Sequence, residues 1–440
     1  MMRERATDQT VEVFTVPTTV VLPGHDEAVP VELGCTVHRS AAGVSATGAP
    51  SVAQAGSGAG SEAAAKVKAG AKAGASGAGA SGLAIIYVHG GGFLYGERDD
   101  LPRPYLDLMC AAGHTVLALD YPLAPECPLE ACVDATTRAV AHLVRTRLSE
   151  LGCTRYVLFG RSAGAYLVLA VGARLCGDSA GCGEACGGGR PVAAELPPIP
   201  APSGILDFYG YHDLTAPFVW EPSGHYAAMP AVSADLVAHM ADAPGSVVVT
   251  SAPKATRYGL YLYARQTGRW GELLGLDAEA AQRLSLSPAD IAVLPPVFLA
   301  ASTGDNDVPF GQSKALARAA SDATMYTVYY LDHDFDRDTT RPEGRTAYER
   351  ALAWLAQLEP TGAGDAAGAG GAADTGGASD TSGAARPVAT GAPDAADAPG
   401  AQARASPMPV SPPPTSRPSA YPPPASPPPA SPPPAPLAER

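Results

Sequence analysis

Short apolar runs alternate along this chain with longer segments whose apolar side chains recur at helical spacing. The apolar runs lie at residues 83–88, 115–120, 156–159, 204–208, 296–300 and 325–331. The segments with helical spacing lie at residues 129–148, 165–175 and 345–358. Runs that are apolar at nearly every position are typical of strands covered on both faces. We therefore predict an α/β fold, a mostly parallel central sheet with helices on both faces, opened by an antiparallel strand pair at residues 11–21 and 31–38.

Three segments contain too few large apolar side chains to form a core. Residues 42–82 are mostly alanine, glycine and serine, and residues 176–202 are rich in glycine and then in proline. From residue 359 to 440 the chain is rich in alanine, glycine and proline, and it ends in repeats of Pro-Pro-Pro-Ala-Ser. We predict two flexible insertions and a disordered tail whose last part is extended polyproline II. One domain remains, with N-terminal strands in residues 1–41 and the rest of its core in residues 83–358.

A Gly-x-Ser-x-Gly sequence follows the run at residues 156–159, with Ser162 between Gly160 and Gly164. A strand that turns sharply into a helix crowds its own backbone, so residues without a Cβ are favoured on both sides of the turn. Such a turn exposes the serine at its tip, where the serine can act as a nucleophile. The same pattern recurs around Ser179, but cysteines and glycines follow it rather than a helix, so we prefer Ser162. A serine that only caps a helix is the alternative interpretation.

Three glycines follow the apolar run at residues 83–88, in the sequence His89-Gly90-Gly91-Gly92. Backbone N–H groups that carry no obstructing side chain can stabilise the oxygen that becomes negative during acyl transfer. We assign such an oxyanion hole to the N–H groups of Gly91, Gly92 and Ala163. A flexible turn and a phosphate-binding loop are the alternatives, but neither nucleotide-binding glycine pattern follows this run, and we predict no cofactor.

A serine nucleophile needs a base, and the base needs an acid that orients it. In α/β-hydrolases the chain order is serine, acid, histidine, and only His333 lies beyond the late apolar run at residues 296–300. Asp305 follows that run and is the predicted acid. Asp307 on the same loop is the second candidate, since only geometry separates the two.

Residues 215–290 interrupt the alternation with helical stretches rich in aromatic residues. These residues are Trp220, Tyr226, Tyr258, Tyr261, Tyr263 and Trp270. We interpret the stretch as a helical cap over the site that contributes apolar walls to an acyl pocket. For each residue the alternative stays open that it only packs the insertion.

Together these motifs resemble the α/β-hydrolase esterases of the hormone-sensitive lipase type and their bacterial acetyl-esterase relatives. The resemblance spans residues 11–358, with insertions, and rests on residues 89–92, 120–126, 160–164, 305–309 and 333–335. Pro122 stands where the family usually has arginine, and Arg161 where it commonly has aspartate. Neither position carries out the acyl chemistry. The resemblance implies an α/β-hydrolase fold and short acyl chains as substrates.

The resulting hypothesis is a serine carboxylesterase that acts on small-molecule esters through Ser162, His333 and Asp305. A small-amide amidase or peptidase would use the same residues. A non-catalytic ligand-binding protein on a hydrolase scaffold is the alternative from another class.

The formal charge is −14, from 44 acidic and 30 basic residues, which disfavours nucleic acid and anionic membranes as partners. The chain start lacks the apolar core of a secretory signal, and no run of about 18 apolar residues is present to span a bilayer. We expect a cytoplasmic protein whose eight cysteines are reduced thiols. The proline-rich tail is a candidate for contacts with protein partners.

Two patterns resemble metal sites superficially. Cys176, Cys182 and Cys186 lack a Cys-x-x-Cys pair and a fourth ligand for zinc. The acidic positions Asp332, Asp334, Asp336, Asp338 and Glu343 follow the spacing of a calcium loop. Arginine occupies the position that such a loop reserves for glycine, and a strand-like run precedes it. We predict no metal site, and expect these acids to raise the pKa of His333.

Overall fold

The apolar runs form one twisted sheet in the part of the chain described by the computed structural model, residues 9–25, 27–40, 82–177, 196–242 and 244–358. Its strands are β1 (Gln9–Val20), β2 (Val29–Ser40), β3 (Leu83–Val88), β4 (Thr115–Leu119), β5 (Arg155–Arg161), β6 (Ile205–Phe208), β7 (Val297–Ser302) and β8 (Ala323–Val328). They lie in the order β1-β2-β4-β3-β5-β6-β7-β8.

Several sequence predictions fall outside the described residues. They concern nearly all of the insertion at residues 42–82, residues 178–195 of the second insertion, and the tail at residues 359–440. Ser179, Cys182 and Cys186 belong to this group. The chain divides into two units, and every described residue belongs to the first, Met1–Gly368.

The sheet has the predicted direction of strands. β3 to β8 run parallel to one another, whereas β1 pairs antiparallel with β2 and β2 pairs antiparallel with β4. The opening antiparallel pair is therefore confirmed. β8 ends at Val328, three residues before the predicted end. Tyr330 has a φ of 61°, so the chain leaves the extended conformation and turns toward His333.

Helices cover both faces of the sheet, as predicted. They are α1 (Arg103–Ala111), α2 (Leu129–Thr146), α3 (Ala163–Gly177), α4 (Pro217–Trp220), α5 (Gly224–Ala227), α6 (Ala234–Val237), α7 (Lys254–Thr267), α8 (Trp270–Leu273), α9 (Ala278–Leu284), α10 (Pro288–Ala292), α11 (Gly311–Ala319) and α12 (Pro342–Leu355). Side chains of α2 and α3 join one apolar cluster, and those of α1 and α12 join the other. Nearly every side chain of α3 is buried, because this helix packs between the sheet and its neighbours.

Seven helices, α4 to α10, occupy the described residues between β6 and β7, and we call them the cap helices. The stretch contains an isolated bridge, Ala252 with Gly96, which connects it to the segment after β3. The cap helices therefore lie near the carboxyl ends of the strands. In parallel α/β sheets this edge is where ligands bind.

The sequence also predicts that the chain has no membrane-spanning segment and that its cysteines are reduced. None of the helices in the described ranges has both the length and the apolar character needed to cross a membrane. The six cysteines in those ranges are free thiols.

Candidate active site

Ser162 stands at the turn between β5 and α3, in a conformation that requires the glycines around it. Its φ is 53°, a left-handed value that few residues with a side chain adopt. A Cβ on Gly160 would lie 2.2 Å from the carbonyl oxygen of Gly164, and a Cβ on Gly164 would lie 2.2 Å from that of Val88. Both glycines are therefore required by close backbone approach. The turn leaves the serine hydroxyl facing a cavity.

His333 brings together the serine and the predicted acid. Its Nε2 lies 2.8 Å from Oγ of Ser162, and its Nδ1 lies 2.7 Å from Oδ2 of Asp305. A neutral imidazole that donates from Nδ1 to the carboxylate can accept the serine proton at Nε2. Residues that are 171 and 28 positions away from His333 along the chain thus meet at one imidazole.

The geometry separates the two candidate acids. Oδ1 of Asp305 accepts the backbone N–H groups of Asp307 and Val308 over 2.9 and 2.8 Å, which leaves Oδ2 for His333. Asp307 faces the cap helices instead. It accepts the hydroxyl of Tyr261 over 2.7 Å and forms an ion pair with Arg265 over 3.1 Å. Asp305 is therefore the residue placed to orient the histidine.

The charges around His333 favour its protonated form. Burial lowers its pKa, but the neighbouring carboxylates, Asp305 foremost and then Asp307 and Asp334, outweigh burial and raise the pKa to about 9. The pKa of His333 is thus raised as expected, but the triad candidate Asp305 is the main cause, and among the loop acids expected to act Asp334 contributes.

The glycine loop after β3 borders the same cavity with free amides. Within the described part of the chain, the N–H groups of Gly91, Gly92 and Ala163 donate to no acceptor. A Cβ on Gly91 would lie 1.8 Å from the carbonyl oxygen of Tyr95, and one on Gly92 would lie 2.2 Å from the ring of Tyr261. Only glycine fits at these two positions, and both glycines line the cavity beside Ser162.

Known proteins share this architecture. A family model described as α/β hydrolase fold matches residues 85–206, from β3 to β6. An α/β-hydrolase superfamily protein from Enterococcus faecalis is 26% identical, with a TM-score of 0.55, over 77% of this chain and 98% of that chain. A protein of unknown function from Staphylococcus aureus subsp. aureus Mu50 is 22% identical, with a TM-score of 0.56, over 79% of this chain and 99% of that chain.

The chain has the α/β-hydrolase fold. In this hydrolase fold the mostly parallel sheet and the serine turn at the end of β5 agree with the predicted architecture.

The cavity above Ser162 has a volume of about 170 Å³ and is more polar than predicted. The cap helices contribute Tyr226, Tyr258 and Tyr261 to its wall, together with His225 and Lys254. The predicted aromatic wall is therefore present, but charged side chains such as Lys254, Asp307 and Arg337 line the same cavity and make it polar rather than apolar. The ammonium of Lys254 lies 4.6 Å from the centre of the Tyr258 ring.

The other three cap aromatics have structural positions around this wall. Trp270 donates its indole N–H to the carbonyl oxygen of Gly92 over 3.0 Å, and so supports the glycine loop. Trp220 donates to the carbonyl oxygen of Leu214, and Tyr263 accepts from Arg269.

Sequence reasoning missed the role of the loop acids. Asp336 is completely buried and pairs with Arg161, while Asp334 pairs with Arg337. Asp338 accepts from Thr340 at the surface. The superficial calcium spacing therefore belongs to side chains that point in different directions. Across the described ranges, no group of three or more histidine, cysteine or acidic side chains is arranged to hold a metal ion. Arg161 directly before Ser162 was the available signal, because a buried arginine requires an acidic partner.

Proposed function

We propose that this protein is a serine carboxylesterase that hydrolyses small, short-chain acyl esters. The observation that carries the proposal is the pair of contacts at His333, 2.8 Å to Ser162 and 2.7 Å to Asp305. The motif resemblance to α/β-hydrolase esterases and the match to the α/β-hydrolase family support the same assignment.

In the proposed mechanism, Ser162 attacks the ester carbonyl while Nε2 of His333 takes the hydroxyl proton. Asp305 holds the imidazole in the required tautomer and stabilises its charged form. The amides of Gly91, Gly92 and Ala163 donate to the carbonyl oxygen as it becomes negative. His333 then returns the proton to the leaving alcohol, and an acyl-enzyme remains. Water, activated by the same histidine, hydrolyses that acyl-enzyme.

The cavity supports the size of the proposed substrate. Its volume of about 170 Å³ lies below the roughly 300–1,000 Å³ of pockets that hold drug-sized ligands. Charged side chains in the wall, among them Lys254 and Arg337, favour an ester with polar groups over a long alkyl chain.

Covalent labelling tests the chemistry directly. A fluorophosphonate probe is expected to label the wild-type protein and the Ser179→Ala variant equally, and to leave Ser162→Ala unlabelled. Ser179 is the matched control because it has the same Gly-x-Ser-x-Gly surroundings in the sequence. Labelling that persists in Ser162→Ala would reject Ser162 as the nucleophile.

A substrate panel then separates the remaining candidates. p-Nitrophenyl esters with acyl chains of increasing length should be turned over best at the short end. Turnover confined to the matching anilides would indicate an amidase. Absence of labelling and turnover, with saturable binding of a small ligand, would indicate a binding protein.

A further inference from the structure

A buried ion pair connects the serine turn to the histidine loop. Arg161 directly precedes Ser162, and Asp336 lies three residues after His333. Nη2 of Arg161 lies 2.9 Å from Oδ1 of Asp336, and the two side chains are 2% and 0% exposed. Buried charges hold each other in place strongly, because each becomes costly once its partner is removed.

Tyr209, just after β6, completes this connection. Its hydroxyl accepts from Nε of Arg161 over 2.7 Å and donates to Oδ1 of Asp336 over 2.8 Å. Its ring meets the imidazole of His333 edge-on, with 4.8 Å between the ring centres. The backbone of Tyr209 is itself fixed, with a φ of 45° and an N–H that donates to the carbonyl oxygen of Ala300 over 2.7 Å.

Two further side chains, Tyr348 and Asp100, are partners in this network. Tyr348 on α12 donates its hydroxyl to Oδ2 of Asp336 over 2.8 Å. Asp100 receives Nη1 of Arg161 over 3.4 Å and the hydroxyl of Tyr87. Asp336 therefore accepts hydrogen bonds of equal length from two tyrosine hydroxyls. Of these two tyrosines, Tyr209 is the one whose ring contacts His333.

We propose that Arg161, Tyr209 and Asp336 are positioning residues that fix His333 against Ser162. This inference rests on the proposed esterase function. The ion pair anchors the histidine loop to the serine turn, and the Tyr209 ring limits the rotation of the imidazole. Reacting groups must be held within a fraction of an ångström, and a misplacement of about 1 Å can cost roughly 100-fold in rate.

Two tyrosine variants distinguish positioning from general stabilisation. Tyr209→Phe and Tyr348→Phe each remove one buried hydroxyl from Asp336 and keep the aromatic ring. Tyr209→Phe also removes the acceptor of Nε of Arg161, so the ring beside His333 is no longer tied to the ion pair. We expect Tyr209→Phe to lower the unfolding midpoint at least as much as Tyr348→Phe, because the Tyr209 hydroxyl makes two buried hydrogen bonds and the Tyr348 hydroxyl makes one. Tyr209→Phe should lower kcat by about tenfold and leave KM within twofold, whereas Tyr348→Phe should change kcat less than twofold.

The pH profile provides a second readout. A histidine that moves away from Asp305 loses the carboxylate that raises its pKa. The acid limb of kcat/KM should therefore move to lower pH in Tyr209→Phe and stay in place in Tyr348→Phe.

Charge removal extends the test to the ion pair. Asp336→Asn should lower kcat by about 100-fold. The double variant Arg161→Met/Asp336→Leu removes both charges, and its unfolding midpoint should recover relative to the single variant. If the pair positions His333, kcat stays low in the double variant, because no connection between the two loops has been restored. If the pair only stabilises the fold, kcat recovers together with stability.

Equal kcat values and equal pH profiles in the two tyrosine variants would overturn the inference, even if Asp336→Asn fails to fold. That outcome differs from failure of the proposed function, in which the wild-type protein neither hydrolyses esters nor reacts with the fluorophosphonate.

Discussion

The indole N–H of Trp270, on cap helix α8, donates to the carbonyl oxygen of Gly92 over 3.0 Å. Trp270 is 1% exposed, so this bond is protected from water. The carbonyl of Gly92 belongs to the loop whose amides face the cavity. The cap helices therefore hold the glycine loop as well as cover it.

Trp270→Phe should weaken transition-state stabilisation, and it should also lower the unfolding midpoint, because the smaller ring leaves a cavity at a position that is 1% exposed. We expect kcat to fall by about tenfold, less than the 10²–10³ that the loss of a whole oxyanion donor costs, because the amides remain present but less firmly held. Steady-state kinetics on a short-chain ester measures the effect. Trp220→Phe is the matched control, since it removes an indole N–H that donates to Leu214 instead. A comparable fall of kcat in both variants would contradict this role of Trp270.

Asp305 and Asp307 should respond differently to the same substitution. Asp305→Asn disturbs the histidine tautomer and should lower kcat by about 10⁴-fold. Asp307→Asn removes the charge partner of Arg265, which is 2% exposed, so we expect a loss of about 3–5 kcal/mol in the free energy of unfolding. Denaturant unfolding and kcat, measured on both variants, check the assignment. If Asp307→Asn abolished turnover in a stably folded protein while Asp305→Asn did not, the two roles would be reversed.

The activity should rise with pH, because His333 acts as a base only when it is neutral. Burial lowers its pKa, but Asp305 and the nearby acids raise it to about 9. We therefore expect kcat/KM to increase up to about pH 9. Replacing Asp305 with asparagine removes the main raising charge, so the acid limb should move to lower pH in the residual activity. An acid limb at the same pH in both proteins would mean that another group controls it.

Much of this site was predictable because its constraints are local. Gly160 and Gly164 are required by contacts within or beside one turn, and the apolar runs identify the strands that deliver the reacting residues. His333 followed from chain order alone. Asp305 and Asp307 lie two residues apart on one loop, and only the folded loop shows which carboxylate faces the imidazole.

Other features depend on contacts that no sequence pattern encodes. Arg161 and Asp336 are 175 positions apart, so their pairing becomes visible only when β5 and the loop after β8 come together. The tyrosines of the cap were predicted as apolar walls from their rings. The charged residues that share the cavity with these rings, such as Asp307 and Arg337, come from distant loops, and only the folded chain shows that they make the cavity polar.

Asp207, in β6, should make the stability of the protein depend on pH. It is 1% exposed, and burial raises its pKa to about 7. Its Oδ1 accepts the N–H of Gly210 over 2.8 Å, whereas Oδ2 has no donor within the described residues. A carboxyl group whose pKa is higher in the folded state than in the unfolded state binds its proton more tightly when folded. Its contribution to stability is therefore fully present below pH 3.8, and is lost as the pH rises to about 7.

Asp207→Asn removes this titration and keeps the size of the side chain. The wild-type protein should therefore lose stability relative to the variant as the pH rises from 4 to 8. The upper limit of this relative loss in the free energy of unfolding is about 4 kcal/mol. Comparing two pH values cancels the constant cost of the buried amide that asparagine introduces. Urea unfolding of both proteins at each pH measures the shift. A difference that stays the same at both pH values would show that Asp207 remains ionised in the folded protein throughout this range.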